Sequence, residues 1–183
     1  MSVKYKIRDQ TKLHFVTFSV VEWIDVFTRN IYKDVLIESL TYCQKYKGLV
    51  VYAWCIMTNH VHLIISSEDG FKQEDILRDL KKHTSKKLIK LIKDNPQESR
   101  KNWMLWLFSS AGKRNSNNKD FQFWQQDNHP IELNSNEMMD QKLTYIHNNP
   151  VEAGIVDEAE NYLYSSARDY SGRTGMIKIS FIQ

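Results

Sequence analysis

The sequence has two cysteines, no long apolar run and little net charge, and each shortage argues against a class of protein. Cys43 and Cys55 lie far apart and form no C-x-x-C pair, which disfavours a disulfide framework or a zinc ribbon. The N-terminal segment MSVKYKIRDQ contains no apolar signal core, and no apolar run approaches the length of a membrane span. We therefore expect a cytoplasmic protein with reduced thiols.

The net charge says little about which molecules the protein binds. The chain has 25 Lys plus Arg against 22 Asp plus Glu, a formal net charge of +3, so the distribution of charge matters more than its sum. Its 183 residues suffice for a sizeable core, and no internal repeat or linker divides them. We predict a single domain over residues 1–183, with a helical insertion at about 96–119 and a C-terminal tail at about 151–183.

The spacing of apolar residues predicts alternating strands and helices. Strands are expected at 13–20, 49–57, 60–66 and 121–125, and helices at 29–46, 73–93, 103–112 and 135–149. Thr58 and Asn59 alone separate the second and third strands, which fits a two-residue hairpin without the favoured glycine. Pro150 is expected to end the last helix. This order predicts an α+β fold, a ferredoxin-like antiparallel sheet with helices packed on it.

The third strand opens with two histidines one residue apart, in the stretch MTNHVHLII. Because alternate strand residues share a face, His60 and His62 can converge on one ligand. Two imidazoles satisfied by neighbours in a half-buried sheet are an equally good interpretation of the pair alone. A metal site needs a third ligand from elsewhere in the fold.

A candidate for that ligand lies in LTYIHNNPVEAGIV. Tyr145 and Asn149 are four residues apart, so they share a face at the end of a helix. A phenol and an amide oxygen presented together could supply a nucleophile and a metal ligand to one site. The ordinary alternative is a packing tyrosine and a helix-capping asparagine.

Several motifs together make the sequence resemble a known family. In chain order they are HFVTFSV, MTNHVHLII, FWQQDNHPIEL, YIHNNPVEAGIV and YSSARDY. With them the sequence resembles the single-tyrosine HUH transposases, and most closely the branch of REP-associated tyrosine transposases and IS200-like relatives. The resemblance extends from about His14 to Tyr170.

This resemblance implies an HUH endonuclease fold and a role for each site residue. His60, His62 and Asn149 would bind a divalent metal, Mg²⁺ or Mn²⁺, and Tyr145 would be the DNA nucleophile. The substrate would be single-stranded, hairpin-forming DNA, nicked and rejoined through a covalent 5′-phosphotyrosine in transposition or REP-type repeat processing. The family also allows a homodimer, although the short connection from Leu133 to Tyr145 favours a site closed within one chain.

Two other functions remain open. A protein that binds folded single-stranded DNA or RNA without cutting would need no nucleophile. In a metal hydrolase, water would attack and Tyr145 would only orient the substrate; a free phenol, with a pKa of about 10, is a weak nucleophile unless its phenolate is favoured.

Basic residues on the long middle helix suit contacts to a phosphate backbone, although each could also be a solvated surface residue. We expect one aromatic residue near a strand end to stack on bases. The candidate DNA-binding residues are Lys81, Lys82, Lys86, Lys87, Arg114 and Trp124.

Overall fold

A four-stranded antiparallel sheet organises the chain. The computed structural model describes residues 7, 9–115, 120–126 and 130–182. The strands are β1 (His14–Ser19), β2 (Leu49–Ile56), β3 (His60–Ser67) and β4 (Ile131–Glu132), in the order β2-β3-β1-β4. Each neighbouring pair is antiparallel, which confirms the predicted α+β ferredoxin-like arrangement.

Five α-helices accompany the sheet in the described part of the chain. They are α1 (Asn30–Tyr46), α2 (Gln73–Asp94), α3 (Lys101–Lys113), α4 (Asn136–Glu152) and α5 (Ala167–Tyr170). Short 3₁₀ turns occur at Val21–Trp23, Val26–Thr28 and Ala159–Asn161. Helices α1 and α2, both predicted from the spacing of apolar residues, pack together through their apolar stripes. Within the described residues, no helix combines the length and the apolar character that crossing a membrane requires.

The turn between β2 and β3 is stabilised from outside the hairpin. Neither Thr58 nor Asn59 adopts a positive φ, so this is not one of the favoured primed turns. Instead the Thr58 carbonyl accepts a hydrogen bond from the Phe27 N–H, and the Asn59 carbonyl accepts one from the Val20 N–H, each at 2.8 Å. The segment after β1 therefore fixes the turn that leads into His60.

The predicted strand at 121–125 is wrong. Only Trp124 forms a bridge, an isolated one with Val20. Phe123 and Trp124 are consecutive, yet both are buried and both pack against Phe27. Successive side chains of a regular strand point to opposite faces, so packing two adjacent rings into one core requires irregular backbone.

The predicted end of the last helix is also wrong, because Pro150 lies inside α4 and the helix continues to Glu152. A proline lacks an N–H and removes one helical hydrogen bond, but the Ala153 N–H still donates to the Asn149 carbonyl at 3.0 Å. Ser135 caps the start of α4, since its hydroxyl accepts a hydrogen bond from the Met138 N–H at 3.2 Å.

The predicted insertion at about 96–119 and the predicted C-terminal tail at about 151–183 contain different structures. The insertion contains helix α3, although residues 116–119 lie outside the described residues. The C-terminal tail runs along β2, where the Ser166 N–H donates to the Trp54 carbonyl at 2.9 Å and the Ile56 N–H to the Tyr164 carbonyl at 3.0 Å. The tail therefore covers the free edge of β2.

Gly112 in α3 allows the chain to approach the helix closely, which leads to a stability prediction. A Cβ at this position would lie 2.6 Å from the Phe121 Cα and 2.8 Å from two further Phe121 backbone atoms. We expect Gly112→Ala to lower the free energy of unfolding by about 1–3 kcal/mol in urea titrations, although alanine favours helices.

Gly154→Ala is the matched control for Gly112. Its Cβ would meet nothing within 4 Å, and only its φ of +68° opposes alanine, so we expect a loss of about 1–2 kcal/mol from the backbone alone. A Gly112→Ala protein as stable as the wild type would show that the Phe121 backbone moves freely away from α3.

Candidate active site

The two histidines of β3 lie side by side on one face of the sheet. In the register with β1, His60 is opposite Ser19 and His62 is opposite Thr17. The centroids of the two imidazole rings are 4.6 Å apart. The two-residue period of the strand therefore places both imidazoles on the same face, where they can share a ligand.

Hydrogen bonds orient both rings through the same ring nitrogen. The Asn59 Oδ1 lies 2.6 Å from the His60 Nδ1, and the Thr17 Oγ1 lies 2.7 Å from the His62 Nδ1. An amide oxygen only accepts, so the His60 Nδ1 carries the proton and its Nε2 keeps a lone pair. The His62 Nε2 is buried without a hydrogen-bond partner among the described residues, as expected of an atom that binds something else.

Both imidazoles are neutral at physiological pH. Burial, with smaller contributions from the neighbouring His60 and Lys142, lowers the pKa of His62 to about 3. Burial also lowers the pKa of His60, against an opposing contribution from the adjacent Asn149 side chain. Neutral imidazoles are the form that binds metal ions.

Helix α4 brings the other two predicted residues to the histidines. The Tyr145 ring centroid lies 5.1 Å from that of His62, and the Tyr145 side chain is 42% exposed. One turn later, the Asn149 side chain lies beside His60. His147, between them, points to another surface and contacts the Ser166 hydroxyl at 2.9 Å. His60, His62, Tyr145 and Asn149 thus meet within a single chain.

These residues fit a divalent metal. In the part of the chain that the structure describes, no group of three or more His, Cys, Asp or Glu side chains could hold a metal ion, so a third protein ligand here must be of another type. The Asn149 amide oxygen is a ligand of that other type. It would complement the lone pair of His60 and the His62 Nε2, which has no hydrogen-bond partner among the described residues. Two imidazoles and one oxygen suit Mn²⁺ in particular, and phosphate oxygens from a substrate would suit Mg²⁺ or Mn²⁺.

Sequence reasoning missed two neighbours of this site. Phe15 of β1 stacks on His62, with centroids 5.6 Å apart and planes at 21°. The Lys142 Nζ lies 4.9 Å from the Phe15 ring centroid and 5.7 Å from that of Tyr145. Lys142 and Tyr145 are three residues apart on one helix, and this spacing could have predicted that their side chains are neighbours.

The predicted DNA-binding residues have varied surroundings. Lys82 and Lys86 are exposed on α2. The Lys81 Nζ donates to the Gln125 carbonyl at 2.7 Å, and Lys87 and Arg114 form ion pairs with Glu38 and Glu22. A phosphate could still compete for these exposed ion pairs, which are weak.

The prediction for Trp124 requires correction. Its side chain is only 5% exposed, and its indole N–H donates to the Thr84 hydroxyl at 3.0 Å. Stacked on Phe27 in the core, the ring offers no face to a nucleobase.

The buried histidines make stability depend on pH. Burial lowers the pKa of His147 to about 4 from an ordinary 6.5, so below pH 6.5 the unfolded chain takes up a proton that the folded protein excludes. The contribution of the neutral His147 to stability is therefore fully present above pH 6.5 and is lost as the pH falls. Without metal, we expect His147 alone to cost about 1 kcal/mol at pH 5.5.

Urea unfolding between pH 7.5 and 5.5, in the presence of a chelator, measures this loss. His147→Gln should flatten the pH dependence, whereas the same change at the exposed His83 should leave it unaltered. Equal slopes in the wild type and His147→Gln would refute the prediction.

Comparison with solved structures supports the fold. A structure described as a REP-associated tyrosine transposase bound to a REP hairpin has the same fold, with a TM-score of 0.67 and 15% identity over 100% of this chain and 94% of that one. A crystal structure from Deinococcus radiodurans R1, described as a candidate transposase, gives a TM-score of 0.47 and 16% identity over 80% of this chain and 97% of that one. No match was found among curated proteins.

A sequence profile described as Transposase IS200 like matches residues 8–109. The match includes His60 and His62 but ends before α4, so the assignments of Tyr145 and Asn149 rest on their geometry and on the motif. Because it covers more than half of the chain, the protein belongs to the IS200-like transposase family.

Proposed function

We propose that this transposase nicks and rejoins single-stranded, hairpin-forming DNA through a covalent bond to Tyr145, in a metal-dependent reaction. The observation that carries the proposal is an exposed phenol whose ring lies 5.1 Å from a buried neutral imidazole with an unpartnered nitrogen. A nucleophile and a vacant ligand atom side by side are what such a reaction requires.

His60, His62 and Asn149 would hold the metal ion, Mg²⁺ or Mn²⁺. When bound, it would supply positive charge that polarises the scissile phosphate and stabilises the negative charge of the transition state. Asn59 and Thr17 fix the orientation of the two imidazoles through Nδ1, the arrangement that supports ligand histidines in metal sites.

Tyr145 performs the covalent step. Its Oη attacks the phosphorus and loses its proton, the bond from phosphorus to the 3′-oxygen breaks, and the 3′-oxygen leaves as a hydroxyl group. The products are a 5′-phosphotyrosine and a free 3′ end. Because the covalent link retains the phosphodiester energy, a second 3′ end can reverse the step without ATP. The Lys142 ammonium, beside the Tyr145 ring, attracts the phosphate of the incoming strand.

The substrate class follows from the family and from the surface. The REP-associated relative is described in complex with a REP hairpin, and we propose a DNA hairpin here too. Exposed Lys82 and Lys86, with the ion-paired Lys87 and Arg114, would contact phosphates without reading sequence. The protein would act in the cytoplasm, on its own element or on scattered repeats, and one chain already supplies the site residues without a homodimer.

A hairpin-binding protein that no longer cuts is the second candidate. The same fold and the same lysines would serve it. An exposed Tyr145 in contact with His62 favours the enzyme, because a binder gains nothing from this combination.

A covalent-adduct assay tests the proposal. The protein is incubated with Mn²⁺ and a pool of single-stranded DNA hairpins that carry a label on either the 5′ or the 3′ end, and the products are analysed by denaturing gels and intact mass. We expect the adduct to contain the fragment with the new 5′ end, and therefore the 3′ label. Cleavage without adduct would indicate a hydrolase, and binding without cleavage would support the hairpin binder.

A further inference from the structure

Trp23 lies at the edge of the candidate active site with its side chain in solvent. The side chain is 58% exposed, although tryptophan is usually buried for most of its surface. Its ring centroid lies 6.1 Å from that of His60, with an angle of 74° between the planes. An exposed aromatic ring therefore stands next to a candidate metal ligand.

The backbone at this position is held in an unfavourable conformation. Glu22 and Trp23 both have a φ of +54°, and each such residue costs roughly 1 kcal/mol or more when it is not glycine. Hydrogen bonds maintain the conformation: the Trp23 N–H donates to the Val20 carbonyl at 3.0 Å, and the Val21 N–H donates to the Phe123 carbonyl at 2.8 Å. Glu22 is also ion-paired with Arg114 of the insertion.

Asn59 links this segment directly to the histidine. Its Nδ2 donates to the Trp23 carbonyl at 3.3 Å, and its Oδ1 accepts from the His60 Nδ1 at 2.6 Å. One amide thus positions both the tryptophan backbone and the imidazole. The Trp23 backbone is therefore held beside the candidate metal site, and its indole lies 6.1 Å from the His60 ring.

We propose that Trp23 is a stacking platform for an unpaired nucleobase next to the scissile phosphate, which it positions for attack by Tyr145. The inference rests on the proposed function, because it takes single-stranded DNA as the ligand. Every nucleobase has a face that can stack on an indole, so this contact would hold the strand without demanding a particular sequence. Trp23 is a positioning residue, and it takes no part in the bond changes.

Affinity for DNA tests the proposal without requiring cleavage. In a Tyr145→Phe background, fluorescence anisotropy at fixed salt compares hairpins with randomised single-stranded flanks and the same hairpins with abasic flanks. We expect Trp23→Ala to weaken binding of the first probe about tenfold, and Trp23→Phe to restore most of it. On the abasic probe, Trp23→Ala and the parent should bind equally, because no base is present to stack.

Tyr46→Ala is the matched control for Trp23→Ala, and it should bind both probes as the parent does. Tyr46 is 55% exposed, and it ends α1 close to the pairing of Leu49 with Ser67, at the opposite end of the hairpin from His60. Trp23→Ala and Trp23→Phe keep the backbone cost of a positive φ, so circular dichroism should show an unchanged fold.

Two results would overturn the inference. Trp23→Ala could bind the base-bearing probe as tightly as the parent, or it could weaken both probes equally, which would mark a structural effect. The proposed function fails in a different way, when a protein with Tyr145 intact binds hairpins but forms no adduct.

Discussion

Replacing Tyr145 by phenylalanine is expected to abolish the covalent protein–DNA adduct and to slow strand cleavage by a factor of at least about 10³. The substitution removes one hydroxyl group and keeps the ring, so the edge contacts with His62 and Phe15 and the adjacent Lys142 persist. Hairpin affinity should stay within about twofold of wild type, because the lost group acts only in the chemical step. Single-turnover cleavage and intact mass give the first quantity, and fluorescence anisotropy gives the second.

Tyr46→Phe, at a tyrosine that is more exposed than Tyr145 and far from the site, is the control and should retain full activity. If Tyr145→Phe still cuts DNA at the wild-type rate, water is the nucleophile and the protein is a hydrolase. If cleavage disappears but no adduct ever forms with the wild type, Tyr145 only orients the substrate.

Local periodicity predicted each half of the candidate site. The period of two placed His60 and His62 on one strand face, and the period of 3.6 placed Tyr145 and Asn149 on one helix face. Local periodicity cannot predict that α4 packs over the hairpin of β2 and β3, because that contact joins residues distant in the chain. The family motif supplied this step, and the structure shows the residues in contact.

The failures have a common physical cause, which is tertiary packing. The alternation of aromatic residues at 121–125 resembled a strand, but the core took in both Phe123 and Trp124. Pro150 lies in the last turn of α4, where it removes one helical hydrogen bond, and the helix ends two residues later at Glu152. Burial also overturned the expectation that Trp124 stacks on bases, because its ring lies in the core.

Replacing His62 by alanine is expected to remove Mn²⁺ binding and to reduce adduct formation by at least about 100-fold, with no rescue by added metal. His62 contributes the buried, unpartnered Nε2 of the site. A chelator should stop the wild-type reaction, and added Mn²⁺ or Mg²⁺ should restore it. Isothermal titration with Mn²⁺ alone measures the loss of the site independently of activity, and His147→Ala, at a histidine that contacts Ser166 instead, should bind Mn²⁺ as the wild type does.

The low pKa of His62 adds a further test of the same site. An ordinary imidazole of pKa 6.5 would begin to lose a metal ion as the pH falls towards 6, because protonation competes with metal binding. Since burial lowers the pKa of His62 to about 3 and also lowers that of His60, the affinity for Mn²⁺ should fall less between pH 8 and pH 6 than it would with two ordinary imidazoles. A tenfold loss of affinity over that interval, or unchanged Mn²⁺ binding by His62→Ala, would show that the metal is held elsewhere.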